Sequence, residues 1–295
     1  MVLKQKVKKA IVPVAGLGTR FLPVTKAIPK EMLPIVDRPS IQWVVDEAFE
    51  SGIEQVIFVN GHHKKSIEDY FDVNYELNDI LTKRGNKEEL RLVEEVSNKG
   101  VICSIRQRMP LGLGHAVLCA RPLLGNEPFA VMLGDDVIFK NKNQKPAIGQ
   151  LIEAFSETGL SQVALMKVPK EEIHKYGAAE GKVDKKNKAR FLISNLVEKP
   201  KKGTEKTDQA IVGRYVLTPA IWDLLEQVNA KARGEVQLTD ALKMLLTTAG
   251  LMGCNFSGQR IDTGDRIGYL RANLLYALSR EDMRAEVRRL LEELM

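Results

Sequence analysis

Apolar residues follow two alternating rhythms along this chain. Short unbroken runs, such as Val7 to Val14 and "QVIFVN" from Gln55 to Asn60, have the length and β-branched content of buried strands. Between them Ile41, Val44, Val45, Ala48 and Phe49 recur at the spacing of one helical face. Ser40 supplies a helix N-cap and Gly52 a C-terminal stop. Strand, helix, strand in this order predicts a parallel pair joined by a right-handed crossover.

The alternation continues. A helix is predicted over 64–83, then a charged excursion to Asn98, a strand from Val101 to Arg106 and a helix at Ala116 to Ala120. "FAVML", Phe129 to Leu133, reads as a strand that ends at Gly134-Asp135-Asp136. Pro146 to Thr158 reads as a helix, and Gln162 to Val168 as a strand. From there the texture changes. Tyr176 to Glu198 has hairpin character, with "EGKVDKKNK" as a polar excursion. Ala210 to Leu217 is a strand, Pro219 to Asn229 and Leu238 to Ala249 are helices, and Leu251 to Phe256 is a strand. Two helices close the chain, Arg266 to Ser279 and Glu281 to Leu294. In the last, Met283, Val287, Leu290 and Leu291 form a stripe that suits packing onto its own domain or contact with a second copy.

The expected fold is therefore α/β: a doubly wound, mainly parallel twisted sheet flanked by helices, with a smaller mixed β addition. Ligands in such sheets sit beyond the carboxyl ends of the strands. That expectation gathers the loop at Gly16, the Asp135 pair and the segment near Asp262 around one cleft.

Composition narrows the classes. At 295 residues, 44% hydrophobic and 28% charged, the chain has the make-up of a soluble globular protein. No run approaches the roughly 20 apolar residues of a membrane span. "MVLKQKVKKAIVPVAG" places lysines before an apolar segment too short for a signal peptide, so it reads as the first strand. The net charge of +6 is spread over runs such as Lys64-Lys65, Lys185-Lys186 and Lys199 to Lys202. A small polyanionic substrate explains that balance at least as well as a nucleic acid, which favours one concentrated basic face. Cys103, Cys119 and Cys254 lack CxxC spacing and are expected as buried thiols in a reducing cytoplasm. His62, His63, His115 and His174 lack metal-site spacing.

Chemistry concentrates in the loops after the strands. "PVAGLGTRFLP" is neither GxGxxG, since Phe21 stands where the third glycine would be, nor a Walker A loop. Its glycines still let backbone N–H groups form an anion nest, and Arg20 adds a planar fork for phosphate oxygens. Lys26 and Lys30 follow within ten residues. "QRMPLGLGHAV" combines glycines that let a flat ring approach the backbone with Gln107, whose amide suits the imide edge of a pyrimidine. "LGDDV" puts a carboxylate just past a buried strand, and "RIDTGDRIGY" supplies Asp262, with Asp265 capping the next helix. Two carboxylates from distant segments suit Mg²⁺, which binds one or two of them plus substrate phosphates. In "LVEKPKK", Glu198 can accept from sugar hydroxyls and Lys199 offers a point charge to a phosphate. His115 reads as a helix-start hydrogen bonder rather than a base.

GLGTRFLP with KEMLP, QxxxxGLGHAV, LGDD, VEKP and DTGD, in this order, resemble the bacterial UTP–glucose-1-phosphate uridylyltransferases, or UDP-glucose pyrophosphorylases. These are sugar-phosphate nucleotidylyltransferases. "PVAGLGTR", "KAIPKEMLP" and "GEVQLTDAL" carry the likeness over nearly the whole chain. The resemblance implies a Rossmann-like nucleotidyltransferase fold, a Mg²⁺ requirement, a cytoplasmic location and a homo-oligomer, dimer or tetramer. It divides 1–295, a single domain, into a nucleotide-binding half (1–170), a sugar-binding half (171–265) and C-terminal helices (266–295) that offer an oligomer contact.

By motif it assigns Ala15, Gly16, Gly18, Thr19, Gln107 and Gly112 to the nucleotide, with Arg20 and Lys26 facing the triphosphate. Asp135 and Asp262 would hold Mg²⁺. Glu198 and the glycines Gly177 and Gly213 would meet the sugar, and Lys199 its phosphate. Asp136 stands where related thymidylyltransferases have Asn, so the choice within the adjacent pair stays open, with Asp135 preferred. The implied partners are UTP and glucose 1-phosphate, without nucleic acid or membrane, and the implied reaction is direct in-line transfer of UMP. A glucose-1-phosphate thymidylyltransferase is the alternative within the class. An NAD-dependent oxidoreductase is disfavoured, because the third glycine is missing and the second strand ends in Asn60-Gly61 rather than an acid. A binding protein built on an inactive transferase fold is disfavoured by the intact set of cations and carboxylates.

Overall fold

The computed structural model describes residues 6–204 and 206–295. Strand β1 (Lys9–Pro13) leads into short 3-10 turns that carry the glycine loop and its lysines. A small hairpin, β2 (Pro34–Ile35) and β3 (Arg38–Pro39), precedes α1 (Ser40–Glu50) and β4 (Gln55–Asn60). Then follow α2 (Lys65–Phe71), α3 (Tyr75–Arg84), α4 (Lys87–Ser97), β5 (Val101–Arg106), α5 (Leu113–Cys119) and α6 (Arg121–Leu124). The middle of the chain forms β6 (Phe129–Met132), β7 (Asp136–Phe139), α7 (Ala147–Thr158) and β8 (Ser161–Lys167). The remainder forms β9 (Gly177–Val183), β10 (Arg190–Glu198), β11 (Gln209–Leu217), α8 (Ile221–Lys231) and α9 (Leu238–Thr248). It closes with β12 (Leu251–Asn255), β13 (Gln259–Asp262), α10 (Arg266–Ser279) and α11 (Arg284–Leu294).

The main sheet has nine strands in the order β5-β4-β1-β6-β11-β8-β12-β10-β9. Its first four are parallel. The expectation of a mainly parallel sheet needs correction beyond them. Strand β11 runs antiparallel between β6 and β8, and β10 runs antiparallel to both β12 and β9, so the sheet is mixed. Every residue of β11 is buried. A strand covered on both faces reads as one apolar run whichever way it points, so periodicity cannot show its direction.

Alternation along β1 feeds two cores. Ile11 faces a layer with Ile57, Val131, Val117 and Trp222, where Phe129 and Trp222 stack at 4.6 Å. Ala10 and Val12 face the other layer, with Val45, Phe58, Met132 and Leu151.

Four local expectations changed. The helix predicted over 64–83 breaks at 72–74, because the Asn74 side chain accepts from Leu77 N at 3.0 Å and starts a new helix. The charged excursion folds as α4, and neither α3 nor α4 holds a buried residue. Ser40 is not a side-chain cap: its hydroxyl donates to Glu31 O at 3.0 Å, and Pro39 takes the N-cap position. Of the thiols, Cys254 is buried, while Cys103 and Cys119 are partly exposed. Helix α11 buries no residue, and Leu290 of its stripe is 51% exposed. Among the described residues no helix is long and apolar enough to cross a membrane.

One buried charge cluster braces the sheet beneath the Asp135-Asp136 loop. Arg214, on β11, is fully buried. Its Nε donates to both Glu47 oxygens at 3.1 Å, and its Nη2 donates to Glu47 Oε2 and to Asp136 O at 2.7 Å. Removing one partner of such a pair leaves a buried charge uncompensated. Glu47→Ala is expected to cost about 3–5 kcal/mol, measured as a loss in chemical denaturation. A loss under about 1 kcal/mol, ordinary for a surface position, would contradict this role.

Candidate active site

The glycine loop follows β1 and is shaped by Lys30. Gly18 has φ of 66°, in the left-handed region, and a Cβ there would lie 3.2 Å from Lys30 Cβ. A Cβ at Gly16 would lie 3.9 Å from Lys30 Nζ, so the loop backbone and this ammonium share one face. Thr25 Oγ1 donates to Gly18 O at 2.8 Å and closes the turn. Ala15 packs under the Gly61 turn, where a Cβ would sit 3.1 Å from Ala15 O. Thr19 and Arg20 are exposed on the following turn. Arg20 Nη1 donates to Gly264 O at 3.4 Å, across to the segment after β13. Lys26 is exposed one turn further on, and no ion pair among the described residues ties it to the cluster.

The carboxylates converge through a pairing that the sequence did not announce. Strands β7 and β13 form a separate antiparallel ribbon in which Asp262 stands opposite Asp136. Thr263 N and Oγ1 both donate to Asp135 O at 2.8 Å, which locks the two loops together. A Cβ at Gly264 would lie 2.6 Å from Asp135 Oδ2 and 2.9 Å from Asp262 Oδ1. Those two oxygens therefore point at one small space that only glycine leaves open.

Asp136 is committed elsewhere. It is buried, its Oδ2 accepts from Gly213 N at 2.9 Å, and its Oδ1 accepts from Arg260 Nε at 2.9 Å. Of the adjacent pair, Asp135 is thus the one that faces the cleft.

Charge in the cluster is shared between one ammonium and its carboxylate neighbours. Lys30 Nζ donates to Asp135 Oδ2 at 2.5 Å. Burial works to lower the Lys30 ammonium, but Asp135, Glu31 and Asp262 outweigh it, and the net shift is upward. Burial works to raise Asp135, and Lys30 outweighs it, holding this carboxyl below the usual carboxylate range. Asp262 is pushed up, first by burial and then by the neighbouring Asp136, with Arg260 opposing. Beneath Lys30, Glu31 and Lys64 form a buried pair at 2.7 Å that pins this loop to the start of α2.

The residues present fit Mg²⁺. Two carboxylates with a hard-oxygen donor set face one gap, and their mutual repulsion favours a divalent ion. Among the described residues no group of three or more His, Cys, Asp or Glu gathers to hold a metal.

On the base side, Gln107 follows β5 and is mostly buried. Its Nε2 donates to Gly112 O at 3.1 Å and lies 3.0 Å from His115 Nδ1. Burial lowers the His115 imidazole below its ordinary value. Both contacts run from Nε2, and the carbonyl oxygen takes part in neither. Gly112 has φ of 96°, and a Cβ there would lie 2.9 Å from Val236 O. The glycine pair thus packs on the "GEVQLTDAL" segment.

On the sugar side, Glu198 ends β10 opposite Gly177 of β9. A Cβ at Gly177 would sit 3.3 Å from Glu198 Oε2, which accepts from Thr239 Oγ1 at 2.6 Å. Lys199 is exposed, with Nζ 3.8 Å from Glu198 Oε1. Gly213 does not open toward this pocket. It is buried in β11, and the space its Cβ would take is filled by Asp136 Oδ2 and the Leu133 side chain.

Neighbours therefore run from the Gly16 loop beside Lys30 to Asp135, across Gly264 to Asp262, and on through Arg260 and Tyr176 to Lys199 and Glu198. Lys30 is the lysine that meets Asp135 and the glycine loop, whereas Lys26, expected to face the triphosphate, lies exposed on the next turn. The signal for Lys30 was "PKEMLP", a lysine whose neighbour Glu31 is buried. Arg260, Tyr176 and Thr239 carried no separate signal, because each acts through a partner distant in sequence.

A glycine loop and two carboxylates brought together at Gly264 on a mixed α/β sheet are compatible with a transferase of nucleotidyl groups, and comparison with known proteins shows that class. The chain belongs to the nucleotidyl transferase family, whose model matches residues 9–278. Within it, the chain is 45% identical over 291 residues to the UTP–glucose-1-phosphate uridylyltransferase of Bacillus subtilis strain 168. That match covers 99% of this chain and 98% of the relative. It is also similar to the structure of UTP-bound UGPase from Acinetobacter baumannii, with TM-score 0.90, 39% identity and coverage of 98% and 100% of the two chains. A UDP-glucose pyrophosphorylase complexed with UDP-glucose matches at TM-score 0.84 and 38% identity, covering 93% of this chain and 100% of that one.

Proposed function

We infer that this chain is a UTP–glucose-1-phosphate uridylyltransferase, which moves UMP from UTP to glucose 1-phosphate and releases pyrophosphate. The observation that carries this reading is one continuous cluster, from Gly16 and Lys30 through Asp135 and Asp262 to Glu198 and Lys199, in a chain 45% identical to such an enzyme.

The chemistry needs no enzyme nucleophile. A phosphate oxygen of the sugar attacks the α-phosphorus of UTP in line. The bond to the bridging oxygen breaks, and pyrophosphate departs with the electron pair. The attacking phosphate is already ionised, so no base is needed, and His115 is engaged with Gln107. The obstacle is repulsion: two unit charges about 4 Å apart repel by roughly 4 kcal/mol at an effective dielectric of about 20. Arg20 and Lys30 answer on the triphosphate side, with Lys26 available on the exposed turn, and Lys199 answers on the sugar-phosphate side. Asp135 and Asp262 would hold Mg²⁺, which when bound would supply further neutralisation of phosphate charge. Glu198, fixed by Thr239, accepts from glucose hydroxyls beside Gly177. Ala15, Gly16, Gly18 and Thr19 shape the backbone against the nucleotide. The half-covered stripe of α11 is the contact for a homo-oligomer.

The Gln107 carbonyl accepts from the imide N–H of uracil, which cytosine lacks. Gln107→Ala is expected to narrow the UTP-over-CTP preference in kcat/KM by about ten-fold or more. An unchanged preference would move base recognition to the Gly112 backbone. The reading as a whole is tested by pyrophosphate release from four nucleoside triphosphates against several sugar 1-phosphates with Mg²⁺. UTP with glucose 1-phosphate is expected to be the fastest pair. A faster rate with dTTP would make the chain a thymidylyltransferase, and no release with any pair would end the enzymatic reading.

A further inference from the structure

Arg260 and Tyr176 span the gap between the metal carboxylates and the sugar-phosphate lysine, and the reaction above assigns them no work. The Arg260 side chain is 9% exposed. It donates to Asp136 Oδ1 and, at 3.4 Å, to Asp262 Oδ2. Its Nη1 donates to the Tyr176 hydroxyl at 3.3 Å, and its guanidinium carbon lies 5.4 Å from the centre of the Tyr176 ring. The opposite end of the same residue holds the lysine: Tyr176 O accepts from Lys199 N at 3.1 Å. Lys199 has φ of 42°, in the left-handed region that residues with a Cβ rarely occupy. Such a backbone persists only where its surroundings hold it there.

Packing alone does not account for a tyrosine at this place. Its ring lies against the small cluster of Val168, Ile173, Ala178 and Ala210, which a leucine could cover equally well. A leucine could neither accept from Arg260 nor offer it a π face.

We propose that Tyr176 is a positioning residue that ties the strained backbone at Lys199 to the arginine holding Asp262. The cation that meets the sugar phosphate and the carboxylate that meets the metal then keep one relative position. Arg260 fixes the ring, the ring fixes the peptide, and the peptide aims the lysine. The proposal rests on the assignment of Lys199 to the sugar phosphate made above.

The test uses Tyr176→Leu, Tyr176→Phe, Lys199→Ala and the Tyr176→Leu/Lys199→Ala double variant in the full chain. Tyr176→Leu is expected to raise the KM for glucose 1-phosphate by about ten-fold and to leave the KM for UTP within about two-fold, because a small misplacement of one charged group acts on the substrate it meets. Tyr176→Phe keeps the ring over Arg260 and is expected to recover most of that loss. Calorimetric titration with UDP-glucose, a readout independent of turnover, is expected to weaken in Tyr176→Leu by a comparable factor. On the Lys199→Ala background, Tyr176→Leu is expected to add less than about two-fold, since coupled residues are not additive.

Equal changes in both KM values, or a fall in melting temperature alone, would make Tyr176 a packing residue and overturn the proposal. So would effects that simply multiply in the double variant. An unaffected Lys199→Ala would instead sink the assignment of Lys199 itself, and the bridge's purpose with it.

Discussion

Lys30→Met is expected to lower turnover by about 10² to 10³, the range seen when one preorganised electrostatic partner of a transition state is removed. Three features place the largest loss at this residue. Its ammonium lies against Asp135 and beside the Gly16 backbone, between the anion loop and the carboxylate pair. Its carboxylate neighbours hold it protonated despite burial, so it is a fixed cation throughout the working pH range. Lys64 cannot replace it, because that ammonium is pinned to Glu31 and its own pKa is lowered by burial. Methionine keeps the stem that packs on Gly18, so the loop should survive and the loss should fall on the chemical step. Single-turnover rates with saturating UTP check this. A rate within about three-fold of wild type, less than a typical transition-state contact provides, would move the central cation to Lys26.

Asp262→Asn carries the second large effect. It is expected to raise the magnesium concentration at half-maximal rate by more than about ten-fold, since the carboxylate count sets affinity in an oxygen site. It is also expected to leave stability unchanged or slightly higher. The Asp262 carboxyl is pushed up by burial and by Asp136, with Asp135 adding to it, so removing its charge relieves repulsion. The amide oxygen of asparagine can still accept from Gly264 N, as Asp262 Oδ1 does at 2.9 Å. Asp136→Asn should behave in the opposite way, because Asp136 binds Gly213 N and Arg260 inside the protein. Thermal melts beside magnesium titrations separate the two. Loss of stability in Asp262→Asn with an unchanged magnesium requirement would reverse the roles of the two aspartates.

The parts of this molecule that were legible in its sequence are those set by local pattern. Strand β5 and helix α10 fall where periodicity and turn residues put them, and the glycines Gly16 and Gly18 mark the irregular loop that follows β1. What stayed hidden depends on partners distant in sequence. The direction of β11 is invisible in a run buried at every position. The β7–β13 ribbon joins segments more than a hundred residues apart, and it alone decides that Asp136 turns inward while Asp135 and Asp262 meet at Gly264. Gly213 looked like a pocket glycine, yet it makes room for the Asp136 carboxylate. Spacing from Arg20 says nothing about which of Lys26 and Lys30 bends back over the glycines.

The central claim is that fixed positive charge from separate loops lets two phosphorylated substrates react directly, without a uridylyl group on the protein. Isotope exchange tests it most directly: labelled pyrophosphate is incubated with UTP, Mg²⁺ and the protein, with and without glucose 1-phosphate. The account predicts no label in UTP until the sugar phosphate is added. Rapid labelling of UTP in its absence would mean that the protein itself takes the UMP group, and would contradict the account.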